Sequence, residues 1–356
     1  MPMSTLRVTA ERLTVLPHDN ADALELAQVG LYRAVVQKGR YATGDWAVYI
    51  PEGSVLPDEL IGELGLTGKL AGSARNRVKA VRLRGELSQG IVCRPRALDG
   101  TDLAAAHAEG RNFADELGIV KWVPPIPVHM AGEVVPAPDL IRWIEIEDVK
   151  RYPTIFEPGE AVVATEKIHG TACLLTLADG EPFVSSKGFG GKSLALVRDG
   201  ENLYWRTLEA HGAVEAAAKI AERFGASRVG LFGEVYGRRV QDLHYGAAEP
   251  GYAAFDVAVA GEDGAVRWLD PAELAGVLAD AGLPAAPVLY EGGYDEALLM
   301  ELASGRETVS GKAEHLREGL VVRPAAGRRS PVTGGRAIAK FVSPGYLTRK
   351  GGTEFE

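Results

Sequence analysis

The chain has 356 residues, 46% apolar and 24% charged, which is the composition of soluble globular protein and a length that calls for two domains. Its 43 glycines and 20 prolines follow no fixed period, so collagen-like and low-complexity readings are excluded, and its apolar runs stop far short of the ~20 residues that span a bilayer. The net charge of −9, taken as one number, argues against a nucleic-acid substrate.

The start, MPMSTLRVTAERLTV, alternates apolar and polar residues and lacks a signal-peptide core. Cys93 and Cys173 are the only cysteines, too few for a disulfide framework and too far apart for a CxxC metal site. Together these features predict a reduced, cytoplasmic protein with no membrane association. Charge is spread unevenly. Residues 1–125 hold 15 basic and 15 acidic residues, so residues 126–356, with 24 and 33, carry the whole excess. Residues 69–96 set Lys69, Arg75, Arg77, Lys79, Arg82, Arg84, Arg94 and Arg96 against Glu86 alone, a local +7.

Short strands between turns are predicted at 6–16, 24–29, 31–36, 46–50, 78–83 and 90–93. In 78–83, Lys79, Arg82 and Arg84 interleave with apolar residues, as on a half-buried strand with a basic outer face. About 120 residues of this kind suit a small OB-like β-barrel, a fold that often binds oligonucleotides. A basic strand face is as readily plain solvated surface. Residues 124–138, PPIPVHMAGEVVPAP, hold five prolines and read as a semi-rigid linker unable to continue a sheet. The predicted plan is domain 1–123, linker 124–138 and domain 139–356.

The second domain mixes strands at 162–165, 172–177, 183–186, 229–236, 252–259, 320–322 and 337–342 with a helical stretch at 203–224. A helix is predicted from Asp270-Pro271, an N-cap residue followed by proline at the first helical position, to Gly282. Residues 186–193, SKGFGGKS, approach a phosphate-cradling P-loop, but Ser186 stands where the pattern needs glycine. The surrounding doubly wound alternation is also missing.

The sharper signal is Glu166-Lys167-Ile168-His169-Gly170-Thr171. A lysine between two strands can project its amine into a pocket, and Gly170 permits close backbone approach. With 43 glycines a lone K-x-x-G match is weak. The match continues in order, however, through Ser185-Ser186-Lys187, LFGEVYG at 231–237, YAAFDV at 252–257, EGLVVR at 318–323 and AIAKF at 337–341. This series resembles motifs I, III, IIIa, IV and V of the covalent nucleotidyltransferases, in the form used by ATP-dependent nick-sealing RNA ligases. DNA ligases and mRNA-capping enzymes usually have aspartate where His169 stands.

The resemblance implies an α+β chain: an OB-like module, then an ATP-grasp-like adenylyltransferase domain of antiparallel sheets with flanking helices. It implies that Lys167 attacks the α-phosphorus of ATP, the AMP donor, with Glu318 holding Mg²⁺ or Mn²⁺ directly or through water. Lys187 and Lys340 would bind phosphate, Glu234 the ribose hydroxyls, and Phe255 would stack on adenine. Glu166, His169 and Gly170 would complete the nucleotide pocket. Surface lysines and a core phenylalanine are the plainer readings of Lys187, Lys340 and Phe255. A free lysine amine, with a pKa of about 10.4, is protonated at neutral pH. Neighbouring cations and a metal are therefore expected to lower the Lys167 pKa.

Two departures stand out. Motif V usually carries K-x-K, but Ile338 and Val342 flank Lys340 at that spacing, leaving Arg336 and Arg323 as candidate replacements. Ala172 follows the motif I threonine where some nick-sealing relatives have asparagine. Only 16 residues follow Lys340, too few for the C-terminal OB domain of DNA ligases and capping enzymes. That order resembles the RNA-ligase branch that seals nicks in duplexes with RNA at the 3′-OH side. No obligatory protein partner is evident. The rivals are a DNA ligase, a capping-type guanylyltransferase and a non-catalytic OB-containing RNA-binding protein.

Overall fold

The computed structural model describes residues 6–142 and 145–353. Residues 1–5, part of the start read above as free of a signal core, and 143–144 and 354–356, assigned above to the second domain, lie outside them. The chain divides into two compact units, Met1–Val123 and Pro124–Glu356.

In the first unit, Thr9–Arg12, Trp46–Ile50 and Ile91–Cys93 pair into one antiparallel sheet, and Thr14–Pro17, Leu24–Val29 and Tyr32–Gln37 into another. Alternating apolar residues from both bury Val8, Ala10, Val48, Ile50, Ala27 and Val29. The stretch 78–83 departs from expectation. Val78 and Ala80 are buried, but Val81 (44% exposed) and Leu83 (41%) stand out in solvent beside Arg82. The cause is a hairpin: among the described residues Val81–Leu83 pairs only with Glu86–Ser88, around Arg84 and Gly85, both at positive φ as a type I′ turn demands.

The second unit is built on two sheets. The larger, all antiparallel, runs in space Val134–Pro136, Leu194–Leu196, Glu181–Ser186, Thr171–Ala178, Arg228–Tyr236, Gly251–Ala260, Val266–Trp268. The smaller runs Glu147–Asp148, Ala339–Val342, Gly319–Pro324, Ala161–Lys167, Val288–Gly293, with one parallel pairing at its first pair. Helices Leu203–Ala210, Ala213–Phe224 and Pro271–Ala281 share the main core with the larger sheet through Leu208, Ile220 and Val277.

Part of the supposed linker belongs to this unit: Met130 is fully buried and Val134–Pro136 is an edge strand. Proline is tolerated there because an edge strand leaves one row of N–H groups without a strand partner. The helical stretch at 203–224 is made of two helices, with Gly212 at φ 64° between them. Asp270 does precede Pro271, but its carboxylate accepts from Gly327 N at 2.8 Å instead of capping the helix. No helix among the described residues is long and apolar enough to cross a membrane.

The crossing between the sheets positions the chemistry. The strand Ala161–Lys167 ends in the smaller sheet, and after Ile168, His169 and Gly170 the chain enters the larger one at Thr171. Gly170 and Gly319 make this crossing possible. A Cβ on Gly170 would lie 2.1 Å from Val235 O, and one on Gly319 2.0 Å from Phe341 O. Neither backbone oxygen can yield cheaply. Gly319→Ala is therefore expected to cost about 1–3 kcal/mol, as overpacking does. A melting temperature lowered by several degrees would report it, and an unchanged one would refute the close approach.

Candidate active site

Lys167 closes its strand, and its Nζ lies 2.7 Å from Glu318 Oε1, the residue just before the neighbouring strand Gly319–Pro324. Lys167 is in register with Gly319, and Glu318, which lies just outside the strand, reaches back to the amine. Glu234, on Arg228–Tyr236, sits opposite Ala172 and acts electrostatically on Lys167. Five predicted residues therefore converge at one crossing: Lys167, His169, Gly170, Glu234 and Glu318.

Their charges are strongly coupled. Burial pulls the Lys167 amine down, but Glu318 and Glu234 overcome this and its pKa stands raised. The lowering is expected of a pocket that also holds a metal; among the chain's own residues the nearest charges are anionic and favour the protonated amine. Burial pushes the Glu318 carboxyl up, yet Lys167 and His169 reverse it to about 2. Burial carries Glu234 up to about 7, with Lys167 opposing and Glu318 reinforcing. The cationic crowd instead falls on Lys340, whose pKa is lowered by burial and then by Lys167 and Lys187, against Asp148.

His169 is 4% exposed. Its Nε2 is 2.8 Å from Asp242 Oδ1, its Nδ1 is 2.9 Å from Tyr346 Oη and 3.6 Å from Glu318 Oε2, and its backbone N–H donates to Tyr245 Oη at 2.6 Å. Burial lowers its pKa, but Asp242 and Glu318 leave it raised.

Phe255 is the extra residue of a β-bulge, since Phe232 faces Asp256 while Gly233 faces Ala254. Bulges re-aim side chains near active sites, and Phe255 packs partly buried against the cluster that contains Ile168. Lys187 pairs with Glu145, Nζ to Oε2 2.9 Å. Glu166 precedes Lys167 on its strand and faces the other way. Thr308 N and Oγ1 donate to its Oε2 at 2.8 and 2.6 Å, while its buried Oε1 has no hydrogen-bond partner among the described residues. The two suggested motif V replacements are both committed to Asp256: Arg336 Nη1 at 2.5 Å and Arg323 Nη1 at 3.4 Å. Arg336 also covers the Trp268 ring.

Sequence reading missed Asp242, Tyr245, Thr308, Tyr346 and Arg349. They belong to loops and to the segment after the last strand, and no motif spacing ties them to Lys167. The redundancy of polar residues around 238–245 and 343–353 was the only signal, and it is not directional.

For a divalent cation, the donor set fits. Glu318 Oε2 is buried without a hydrogen-bond partner among the described residues, and Glu234 supplies a second carboxylate nearby. No group of three or more His, Cys, Asp or Glu among the described residues could hold a metal by itself. Mg²⁺ or Mn²⁺ can keep waters and take phosphate oxygens beside one or two carboxylates such as Glu318 and Glu234.

A family model described as RNA ligase matches residues 160–342, and a second, described as an OB-fold domain, matches residues 7–95. The chain belongs to the RNA ligase family. Among solved structures it resembles Naegleria gruberi RNA ligase in a lysine-to-alanine mutant with ATP and Mn, at 21% identity over 96% of this chain and 98% of that one, TM-score 0.79. It also resembles that ligase with PPi (21% identity, 97% and 98% covered, TM-score 0.78) and a lysine-to-methionine mutant with AMP and Mn (21%, 96% and 97%, 0.78). At that identity the likeness is one of fold. No curated protein matches the chain.

Proposed function

We propose that this RNA ligase is ATP-dependent and seals 3′-OH/5′-phosphate nicks in duplex nucleic acid with RNA at the 3′-OH side. The observation that carries the reading is the Lys167 amine held 2.7 Å from Glu318 at the crossing of two sheets, with Glu234 beside it. Lys167 attacks the α-phosphorus of ATP, forming a P–N bond as the bond to pyrophosphate breaks. AMP then passes to the 5′-phosphate of the nick, and the adjacent 3′-OH displaces it.

The chain's own residues divide the work. Glu318 holds the amine in place as its ion-pair partner, and the neutral form of the amine is the one that attacks. Glu234 offers a carboxylate to the ribose hydroxyls, and the bulged Phe255 a ring face to the base. Lys340 and Lys187 attract phosphate oxygens. A Mg²⁺ or Mn²⁺ ion held by Glu318 would neutralise phosphate charge during in-line transfer. The nucleotide donor in this reading is ATP. The likeness to a ligase solved with ATP and Mn supports the same choice.

Incubation with α-labelled ATP or GTP, followed by a denaturing gel, tests the first step. A protein adduct from GTP alone would overturn the adenylate reading. Nicked duplexes carrying RNA or DNA on each side of the break test the strand choice.

The basic segment 69–96 of the first unit is assigned to phosphate binding, on the strength of its local +7. Replacing Arg75, Lys79, Arg82 and Arg84 with glutamine is expected to weaken nicked-duplex binding. It should also flatten the slope of log affinity against log salt by roughly 0.9 for each phosphate no longer neutralised. Equal affinity and slope in the variant would remove the segment from the interface.

A further inference from the structure

A second polar cluster ties the loop after Lys167 to the end of the described chain. After the last strand, Pro344–Leu347 forms one short helical turn and brings Tyr346 Oη to 2.9 Å from His169 Nδ1. Arg349 lies over the Tyr346 ring at 3.8 Å and grips Asp242 with two nitrogens, Nε to Oδ2 2.8 Å and Nη2 to Oδ1 3.0 Å. Thr353 N donates to Asp242 Oδ1 at 2.9 Å, and Asp242 N donates to Thr353 Oγ1 at 2.8 Å. Asp242 in turn meets His169 Nε2 at 2.8 Å, and its neighbour Gln241 donates to Gly170 O at 3.1 Å.

The consequence is mechanical. An imidazole held at both ring nitrogens cannot turn without giving up a partner. A forked guanidinium–carboxylate pair fixes the carboxylate in its plane as well as in place. Arg349 is 7% exposed in its side chain and Asp242 18%, so water does not readily replace these hydrogen bonds. The ring is thereby held with Nδ1 3.6 Å from Glu318 Oε2, while Glu318 Oε1 holds Lys167.

We propose that Asp242, clamped by Arg349 and Thr353, is a positioning residue that fixes the His169 ring against Glu318 and so sets the attack geometry of Lys167. The segment 343–353 acts as a strap across the crossing between the sheets. In this chain a histidine with an outside carboxylate does what one short side chain at that position could not, because the anchor comes from beyond the last strand. The inference rests on the reading of Lys167 as the nucleophile.

The test uses the full chain with Arg349→Ala, Arg349→Lys, Thr353→Val and Asp242→Asn. Two quantities are measured: the rate of protein–AMP formation against ATP concentration, and the ring N–H signal of His169 in a ¹⁵N-histidine sample without nucleotide. Arg349→Ala is expected to lower the saturated rate about 10- to 100-fold. Its half-saturating ATP concentration should change less than about 3-fold, because geometry and not nucleotide binding is impaired. Arg349→Lys should recover part of the rate, since it restores charge without the fork. The exchange-protected, downfield ring N–H should vanish in Asp242→Asn and exchange faster in Arg349→Ala and Thr353→Val.

A wild-type saturated rate and an unaltered ring signal in Arg349→Ala would overturn the proposal. So would a variant whose only defect is a raised half-saturating ATP concentration. Should Arg349→Ala fail to fold by circular dichroism, Thr353→Val decides on the same two readouts. Absence of any adduct in the wild type would instead defeat the Lys167 reading, and the ring signal would still decide whether Asp242 positions His169.

Discussion

Lys167→Ala is expected to abolish the covalent protein–AMP adduct proposed for the wild type with labelled ATP. The loss should be on the order of 10⁶-fold, as removal of a nucleophile from a unit that acts together costs, and so below detection on a denaturing gel. The reason is that no neighbour can substitute. Lys340 is in the same electrostatic field but sits on Ala339–Val342, one strand further from the Lys167 strand, in register with Val321. Lys187 is tied to Glu145. Because Lys167→Ala also leaves the buried Glu318 carboxylate without its ion-pair partner, circular dichroism is run beside the gel to show that the variant is folded. A labelled band that survives Lys167→Ala would show that another residue carries the AMP.

Glu318→Gln should separate two effects that usually travel together. The Glu318 carboxylate is the anion that holds the Lys167 proton, so its neutralisation must lower the Lys167 pKa. The sign follows from the charges: a lysine is cationic when protonated, an adjacent anion favours that form, and removing the anion favours the neutral amine. At neutral pH the variant's Lys167 is therefore expected to react faster with a small acylating reagent, read by mass spectrometry of the Lys167 peptide. Adduct formation with ATP should nevertheless fall about 10²- to 10³-fold, the usual cost of removing one preorganised charge from a reaction centre. Slower acylation in Glu318→Gln would mean that Glu318 does not govern the amine. Normal adenylylation would mean that it has no part in the reaction.

The same charges set a pH profile for the wild type. With the Lys167 pKa raised, the neutral amine is a minority throughout the neutral range and grows with each step toward alkali. Glu318, at about 2, stays ionised across that range and adds no second break. Glu234, at about 7, is the group that changes charge near neutrality. Adduct formation is thus expected to rise with pH, with an inflection near 7 that Glu234→Gln removes. A flat profile from pH 6 to 9 would contradict the coupling.

Much of the molecule was legible from residues in order. The motif series located Lys167, Glu234, Glu318 and Lys340 because each sits on or beside a buried strand whose alternation is written in the chain. Leu24–Val29 and Trp46–Ile50 fall where the apolar runs place them. The helix from Pro271 to Ala281 obeys its terminal proline and glycine. Reading faltered where a local rule met a tertiary opportunity. Prolines at 124–138 look like a linker, yet the edge of a seven-stranded sheet accepts Val134–Pro136. An apolar–basic alternation at 78–83 looks half-buried, yet a two-residue turn lifts Val81 and Leu83 into solvent.

By itself, the sequence determined the family, because the ordered series that holds Lys167, Glu234, Glu318 and Lys340 lies within the residues that the RNA ligase model matches. Only the tertiary structure decided the state of those groups. Lys167 proves to be an anion-paired amine, Arg323 and Arg336 are spent on Asp256, and His169 is held by Asp242 and Arg349. The physical reason is that a pKa or a side-chain orientation depends on charges and donors within a few ångströms, and 73 positions along the chain separate His169 from Asp242 while 2.8 Å separates them in space.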